Sequence, residues 1–260
     1  MAKYSFSELH EVLDALESKY NCADFIENDP ISIPHSFSER EDIEIAGFLV
    51  SLIAWGNRRM ILRSAHSMIE RMDSSPAQFI KNATNQEIAQ ATSGFVHRTF
   101  NDTDFEAILL SLKELIKEHG SLGNFFEQSF LESGDIRVVI ADFRRKFFAD
   151  RLLDRSLRHI SSIEKGSACK RLCMYLRWMV RRDNRGVDFG LWQKIPASAL
   201  YIPLDVHSAR EGREFGLLRR KSNDWLAVEE LTSALRTFDA QDPVRYDFAL
   251  FGLGVDPKSP

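Results

Sequence analysis

The chain has 260 residues and a formal net charge of −4, with 44% hydrophobic and 28% charged residues. These values are ordinary for a globular protein and exclude a disordered or collagen-like chain. No stretch of the sequence approaches the roughly 20 uninterrupted apolar residues of a membrane span. The acid-containing N-terminal segment is unlike a secretory signal or a transit peptide. We therefore expect a cytoplasmic protein with no membrane partner.

The charges are distributed unevenly along the chain. Residues 166–221 contain 12 Lys or Arg against 5 Asp or Glu, a net charge of +7, so the other residues must carry −11 to give the total of −4. A solvated helix face is the ordinary explanation of a charge run. An excess of this size on an acidic chain instead predicts a basic patch, which is typical of nucleic-acid-binding surfaces.

Three cysteines, Cys22, Cys169 and Cys173, are too few and too unevenly placed for a disulfide framework. Cys169 and Cys173 are four residues apart, and no histidine cluster stands near them in the sequence. We therefore expect buried thiols rather than a metal site. Nothing near the C-terminus could hold an iron–sulfur cluster, so no metal and no other cofactor is predicted.

Helical periodicity dominates the sequence, and we find no convincing strand. In the first part of the chain we predict helices over 7–20, through 43–55, and over 60–72, 77–83, 85–91, 103–119, 122–131 and 136–153. In the second part we predict helices over 170–182, from 205 to about 215, from 225 to about 238, and over 243–251. Residues 28–36 and 183–199 are predicted loops, and 200–204 is a short extended segment. The predicted fold class is all-α.

The segment LYIPLDVHSAREGREFGL contains the first candidate catalytic residue. Pro203 fixes an extended entry, and Asp205 stands where the N-cap of the next helix belongs. Asp205 as a simple cap is the alternative interpretation. The segment resembles the Pro-Val-Asp-x-His stretch of the helix-hairpin-helix (HhH-GPD) DNA glycosylases, the superfamily of endonuclease III and 8-oxoguanine DNA glycosylase. In that superfamily the matching Asp caps a helix and faces the sugar of the extruded nucleotide.

The upstream segment EKGSACKRLCMYLRWMVR resembles the glycine-rich hairpin and lysine-bearing helix of the same superfamily. Gly166 and Lys170 occupy the matching positions, and an ordinary surface lysine is the alternative. Arg177 and Arg181 follow Lys170 at helical spacing, which predicts a basic stripe suited to phosphates. Ala168 departs from the pattern, because a second glycine would stand there and let backbone amides approach a phosphate.

Two further segments match the superfamily in order along the chain. In FLVSLIAWGNRRMILR, Asn57 matches the polar residue that enters the space left by a flipped base, with a helix break after Gly56 as the alternative. In RYDFALFGLG, Asp247 and Phe251 have the i, i+4 spacing of a base-reading residue and a stacking aromatic. A carboxylate accepts hydrogen bonds, so Asp247 could read the N–H groups of a guanine edge. Phe251 as a core residue is the alternative.

The resemblance is to the 8-oxoguanine branch and to a bacterial family of unknown function placed beside it. It implies a two-lobed helical fold with a degraded hairpin motif: a central lobe over 58–165, a second lobe over 1–57 plus 166–260, and a cleft between them. It also implies a monomeric base-excision repair glycosylase that acts on double-stranded DNA with a flipped, damaged base, an oxidised purine among the candidates. Residues expected to contact DNA phosphates are Gly166, Arg171, Arg177, Arg181, Arg182, Arg210 and Arg213.

In this mechanism Lys170 forms a Schiff base with the sugar, which gives AP lyase activity, and Asp205 stabilises the positive charge that builds there. Three alternatives stay open. The chain could bind nucleic acid without catalysis, with Lys170 serving only a phosphate. It could be a monofunctional glycosylase in which Asp205 activates water, or a helical interaction protein with no nucleic-acid role.

Overall fold

The structure is a computed structural model that describes residues 4–147 and 156–256. Helices dominate these residues, which confirms the predicted all-α class. The two strands found among the described residues, β1 (Val96–His97) and β2 (Phe100–Asn101), form an antiparallel hairpin. Two-residue strands are too short to produce the alternating pattern that predicts a strand. No described helix is long and apolar enough to cross a membrane.

The short helix α2 (Ala23–Glu27) was not predicted, and the boundaries of the other helices agree with the predicted ones to within a few residues. In chain order the α-helices are α1 (Phe6–Tyr20), α2 (Ala23–Glu27), α3 (Arg40–Ile53), α4 (Arg58–Glu70), α5 (Pro76–Asn82), α6 (Asn85–Thr92), α7 (Asp102–His119), α8 (Leu122–Ser133), α9 (Ile136–Phe147), α10 (Lys170–Val180), α11 (Val206–Glu214), α12 (Trp225–Arg236) and α13 (Tyr246–Val255). Single 3₁₀ turns cover Pro30–Ser32, Pro34–Ser36, Ser156–His159, Ala197–Ala199 and Pro243–Arg245. Residues 148–153 of the helix predicted to end at 153 lie outside the described residues.

The chain divides into two compact units, one formed by Met1–Phe25 with Ser162–Pro260 and the other by Ile26–Ser161. Residues 26–57 were predicted to belong with the C-terminal lobe, but they lie in the unit that contains 58–161. The reason is the apolar helix α3, which packs against α4, α5 and α8. The ring of its fully buried Phe48 lies 5.5 Å from those of Phe143 and Phe147.

The unit formed by the two chain ends is built around α13. A Cβ atom at Gly252 would overlap the Tyr20 ring of α1, and one at Gly254 would lie 2.8 Å from His207 of α11. Glycine at these two positions therefore allows α13 to pack closely against both helices. Among the described residues of this unit, the largest fully buried aromatic side chains are Tyr175, Trp178, Trp192, Tyr246 and Phe248.

The long segment 183–199 is fixed against α10. Phe189 donates its backbone N–H to the carbonyl of Trp178 at 2.8 Å, and Trp192 donates to the carbonyl of Met179 at 2.9 Å. The fully buried Trp192 ring meets the Tyr175 ring edge-on at 5.3 Å. The segment between α10 and α11 is therefore a packed part of the unit.

Candidate active site at the starts of two helices

Lys170 is the first residue of α10, as the sequence predicts. The chain enters the helix through two left-handed residues, Gly166 with φ 76° and Cys169 with φ 48°. Ala168 is not among them, so the turn does not need a glycine at that position for its backbone conformation. Lys170 is half-exposed, and its amine has no hydrogen bond or ion pair among the described residues. The amine is therefore available for chemistry.

Asp205 is the N-cap of α11, which confirms its predicted structural role. Its Oδ1 accepts hydrogen bonds from the backbone N–H groups of His207 and Ser208, both at 2.9 Å. The other carboxylate oxygen, Oδ2, makes no hydrogen bond within the described part of the chain. Because Asp205 is half-exposed, capping leaves one oxygen able to act on a ligand.

Asp247 does not lie where a base could be read, which corrects the sequence prediction. Its side chain is buried, with 5% exposure. Arg177 Nη1 donates to Oδ2, and the Ser208 hydroxyl donates to Oδ1 at 3.3 Å. Both oxygens therefore already accept hydrogen bonds inside the protein, so Asp247 has a role in the interior of its unit.

The charges of Lys170 and Asp205 both influence the pKa of Asp247. Burial raises the pKa of Asp247 to about 6, because the charged form is desolvated. The positive charge of Arg177 opposes this rise, the negative charge of Asp205 adds to it, and the positive charge of Lys170 opposes it. Ser208 links the carboxyl groups of Asp205 and Asp247, because its backbone N–H donates to Asp205 Oδ1 at 2.9 Å and its hydroxyl donates to Asp247 Oδ1 at 3.3 Å.

Arg177 and Arg181 are internal, which overturns their prediction as phosphate contacts. Their residues are 4% and 2% exposed, and α10 is buried from Leu172 to its end. Asp188 accepts a hydrogen bond from each of them at 3.2 Å. The helical spacing was predicted correctly, but the two arginines face the interior, where buried carboxylates neutralise their positive charges.

Arg181 pairs with several carboxylates inside the protein. Its guanidinium lies within ion-pair distance of Glu17, Asp183, Asp188 and Asp242, at 3.7, 2.7, 3.2 and 2.8 Å. Burial alone would lower the pKa of Arg181, but the charges of Asp188, Asp242 and Asp183 raise it. The cation therefore stays charged inside the protein and holds α1, the segment after α10 and the turn before α13 together.

The other predicted phosphate contacts differ in their availability. Arg182 is exposed, whereas Arg171 is half-buried and burial lowers its pKa. Arg210 is exposed and donates to the Gly254 carbonyl at 2.9 Å. Arg213 donates to the Arg220 carbonyl at 2.8 Å, so it closes the turn after α11. Arg182 and Arg210 are therefore the better placed of the predicted arginines.

Three exposed cations near the Lys170 turn were not singled out from the sequence: Lys165, Arg219 and Lys221. An isolated β-bridge joins Ser167 to Asp224, and the Trp225 N–H donates to the Gly166 carbonyl at 3.0 Å. The bridge brings the segment after α11 beside the turn that precedes Lys170. The high density of positive charge at residues 219–221 is the sequence signal that could have identified Arg219 and Lys221.

Asn57 and Phe251 both have structural partners. Asn57 caps α4 by accepting a hydrogen bond from the Met60 N–H at 3.3 Å, and it is exposed in the unit Ile26–Ser161. Phe251 is half-buried, with its ring edge-on to His207 at 6.1 Å and to Phe25 at 6.2 Å. Their contacts with a base stay predictions.

A family model described as "Protein of unknown function (DUF2400)" matches residues 29–256. The matched range contains Lys170, Asp205 and Asp247. No curated protein and no solved structure matches the chain. Because the family match covers most of the chain, the protein belongs to the DUF2400 family.

Proposed function

We propose that this protein is a DNA base-excision glycosylase with AP lyase activity. The observation that carries the proposal is that Lys170 begins α10 and Asp205 caps α11, and that Asp247 joins these two helices by accepting hydrogen bonds from Arg177 and Ser208. The resemblance of both helix starts to the helix-hairpin-helix glycosylases gives the reaction class. The reaction needs a lysine amine and a carboxylate oxygen, and within residues 4–147 and 156–256 neither the Lys170 amine nor Asp205 Oδ2 makes a hydrogen bond.

In the proposed reaction the neutral amine of Lys170 attacks C1′ of the deoxyribose. The bond from C1′ to the base breaks, and the base leaves with the bonding electron pair and takes up a proton. Opening of the sugar ring between C1′ and O4′ then gives a protonated Schiff base. Loss of a proton from C2′ expels the 3′-phosphate and nicks the strand, and water finally releases the lysine.

Asp205 contributes its negative charge. Positive charge builds on the sugar as the base leaves, and a carboxylate fixed by two backbone N–H groups stabilises that charge without having to reorient. The exposed Lys165, Arg219 and Lys221 beside the Lys170 turn are candidates for phosphate contacts. They replace the internal Arg177 and Arg181 in this role.

Two substitutions at Asp205 separate its capping role from its charge. Asp205→Asn keeps a good N-cap, so the free energy of unfolding should change by only a few tenths of a kcal/mol. Loss of the charge should slow trapping on an abasic duplex by about 10²–10³-fold. Asp205→Ala should in addition cost about 1 kcal/mol of stability. The measurements are urea unfolding and single-turnover trapping. An Asn variant that traps as fast as wild type would show that Asp205 is only a cap.

The proposed function is tested by borohydride trapping of the wild-type protein on duplexes that carry one oxidised, alkylated or abasic site. We expect a covalent protein–DNA adduct with the abasic duplex and with at least one damaged-base duplex. We also expect a nicked strand when borohydride is left out. Base release without an adduct would instead indicate a monofunctional glycosylase that uses water.

Nucleic-acid binding without catalysis is the second candidate, and the exposed cations beside the Lys170 turn favour it, because phosphate contacts require no chemistry. The same duplex panel separates the two candidates. A binder retains DNA with an affinity that falls steeply as salt is raised, but it forms no adduct and releases no base. Failure to retain DNA even at low salt would contradict both candidates.

A further inference from the structure

The side chain of Asp247 connects the two helices that begin at the candidate active site. Arg177 of α10 donates to its Oδ2, and the hydroxyl of Ser208 of α11 donates to its Oδ1 at 3.3 Å. The backbone N–H of the same Ser208 donates to Asp205 Oδ1 at 2.9 Å. One carboxylate thus ties α10, which starts at Lys170, to the capped start of α11.

We propose that Asp247 is a positioning residue that acts through Arg177 and Ser208. It fixes the start of α10 relative to the start of α11, and thereby the Lys170 amine relative to the Asp205 carboxylate. The proposal rests on the proposed function, because these two groups carry its chemistry. Asp247 itself does not touch the substrate, since its side chain is enclosed between the helices.

The bridge depends on a carboxylate. An ionised carboxylate accepts hydrogen bonds at both oxygens, whereas an amide of the same shape has one oxygen and an NH₂ group that cannot accept. Both donors are buried, Arg177 at 4% exposure and Ser208 at 0%. Water therefore cannot replace an acceptor that is lost, and an amide at position 247 would release one of the two helices from the bridge.

The groups around Asp247 define what its ionisation responds to. The ionisable groups that face it are Lys170, Cys173 and Arg177 from α10, Asp205 from α11 and Asp188 from the segment 183–199. Burial, followed by the charges of Cys169 and Asp247, raises the pKa of Cys173, so its thiol stays neutral beside the carboxyl. The acidic groups of α1 face other partners: Asp14 accepts from Tyr246, and Glu17 accepts from Arg245.

The bridge should depend on pH. Burial raises the pKa of Asp247 to about 6 against the opposing charge of Arg177. Because folding raises the pKa of Asp247, the protonated carboxyl group favours the folded state. This contribution to the free energy of unfolding is full below pH about 4 and is lost as the pH rises through about 6. The hydrogen-bonded bridge has the opposite pH dependence, because the ionised carboxylate is the form that accepts from both Arg177 and Ser208. The ratio of wild-type to Asp247→Asn reaction rates should therefore be near one below pH 6 and rise above it.

The test compares Asp247→Asn with Asp242→Asn, which removes another carboxylate, a partner of Arg181, without touching the bridge. Above pH 7, Asp247→Asn should slow single-turnover trapping on an abasic duplex by about tenfold to a hundredfold, because the two helix starts lose their alignment. Its dissociation constant for the duplex should match wild type, and Asp242→Asn should keep the wild-type rate. Equal slowing in both variants, or none in Asp247→Asn, overturns the proposal.

A double variant, Arg177→Met with Asp247→Leu, separates positioning from folding. Replacing buried ionic partners together by apolar side chains often preserves stability, and Asp188, the other partner of Arg177, keeps its ion pair with Arg181 at 3.2 Å. This variant should therefore fold and still react slowly. A wild-type rate in the folded double variant overturns the positioning role.

If wild-type protein traps no duplex at all, the proposed function fails, and hydrogen exchange decides the positioning role by itself. Asp247→Asn then raises exchange at the His207 and Ser208 amides if the bridge holds the start of α11, and unchanged exchange overturns it.

Discussion

Replacing Lys170 with Gln should abolish borohydride trapping on abasic DNA, with a loss of roughly a thousandfold or more. The amide of Gln has no lone pair basic enough to form a Schiff base, and no other group at the start of α10 can replace it. Duplex binding should stay within a few-fold of wild type, because one half-exposed charge among several cations contributes modestly to phosphate attraction. The measurement is covalent adduct per unit time at saturating protein, alongside duplex retention.

The matched control is Lys194→Gln, which makes the same charge change at an exposed lysine in the segment between α10 and α11. This variant should trap at the wild-type rate. Trapping that persists in Lys170→Gln would show that another amine forms the adduct. Equal loss in the two lysine variants would instead indicate that the general charge of the segment, and not one nucleophile, controls the reaction.

Replacing Arg181 with Met should produce a large stability loss in the unit formed by Met1–Phe25 with Ser162–Pro260. It leaves Glu17, Asp183, Asp188 and Asp242 without the cation that they share. Removing one partner of a buried ionic group typically costs about 3–5 kcal/mol, because the remaining charges stay desolvated. Urea unfolding at pH 7 measures the loss. Arg182→Met, one residue later and exposed, should stay within about 0.5 kcal/mol of wild type.

The stability deficit of Arg181→Met should depend on pH in a defined direction. In wild type, burial raises the pKa of Asp183, but the hydrogen bond from Asn21 and the charge of Arg181 outweigh it and hold that pKa below its usual value. A lowered pKa contributes stability above about pH 4 that is lost as the pH falls. The variant lacks much of this contribution, so its deficit should be greatest near pH 7 and should shrink below pH 4. A deficit that is constant with pH would contradict the ionic explanation.

Local chemistry explains why the helices and the two helix starts could be predicted from the sequence. Helical periodicity depends on residues three and four apart, and an N-cap depends on the side chain before the first turn and the N–H groups just after it. Asp205 and Lys170 therefore stand at the predicted positions. The spacing of Asp247 and Phe251 was likewise local, but spacing does not reveal which side of a helix faces the interior.

The all-α class, the cap at Asp205 and the start of α10 at Lys170 follow from the sequence, because each depends on neighbouring residues. Whether a charged side chain is buried or exposed depends instead on which distant segments fold against it. The positive excess of residues 166–221 suggested a surface, yet Arg177 and Arg181 lie inside. Their carboxylate partners include Glu17, Asp242 and Asp247, which come from outside that segment. A buried cation is stabilised only where folding brings such partners together, and sequence-local charge does not record that.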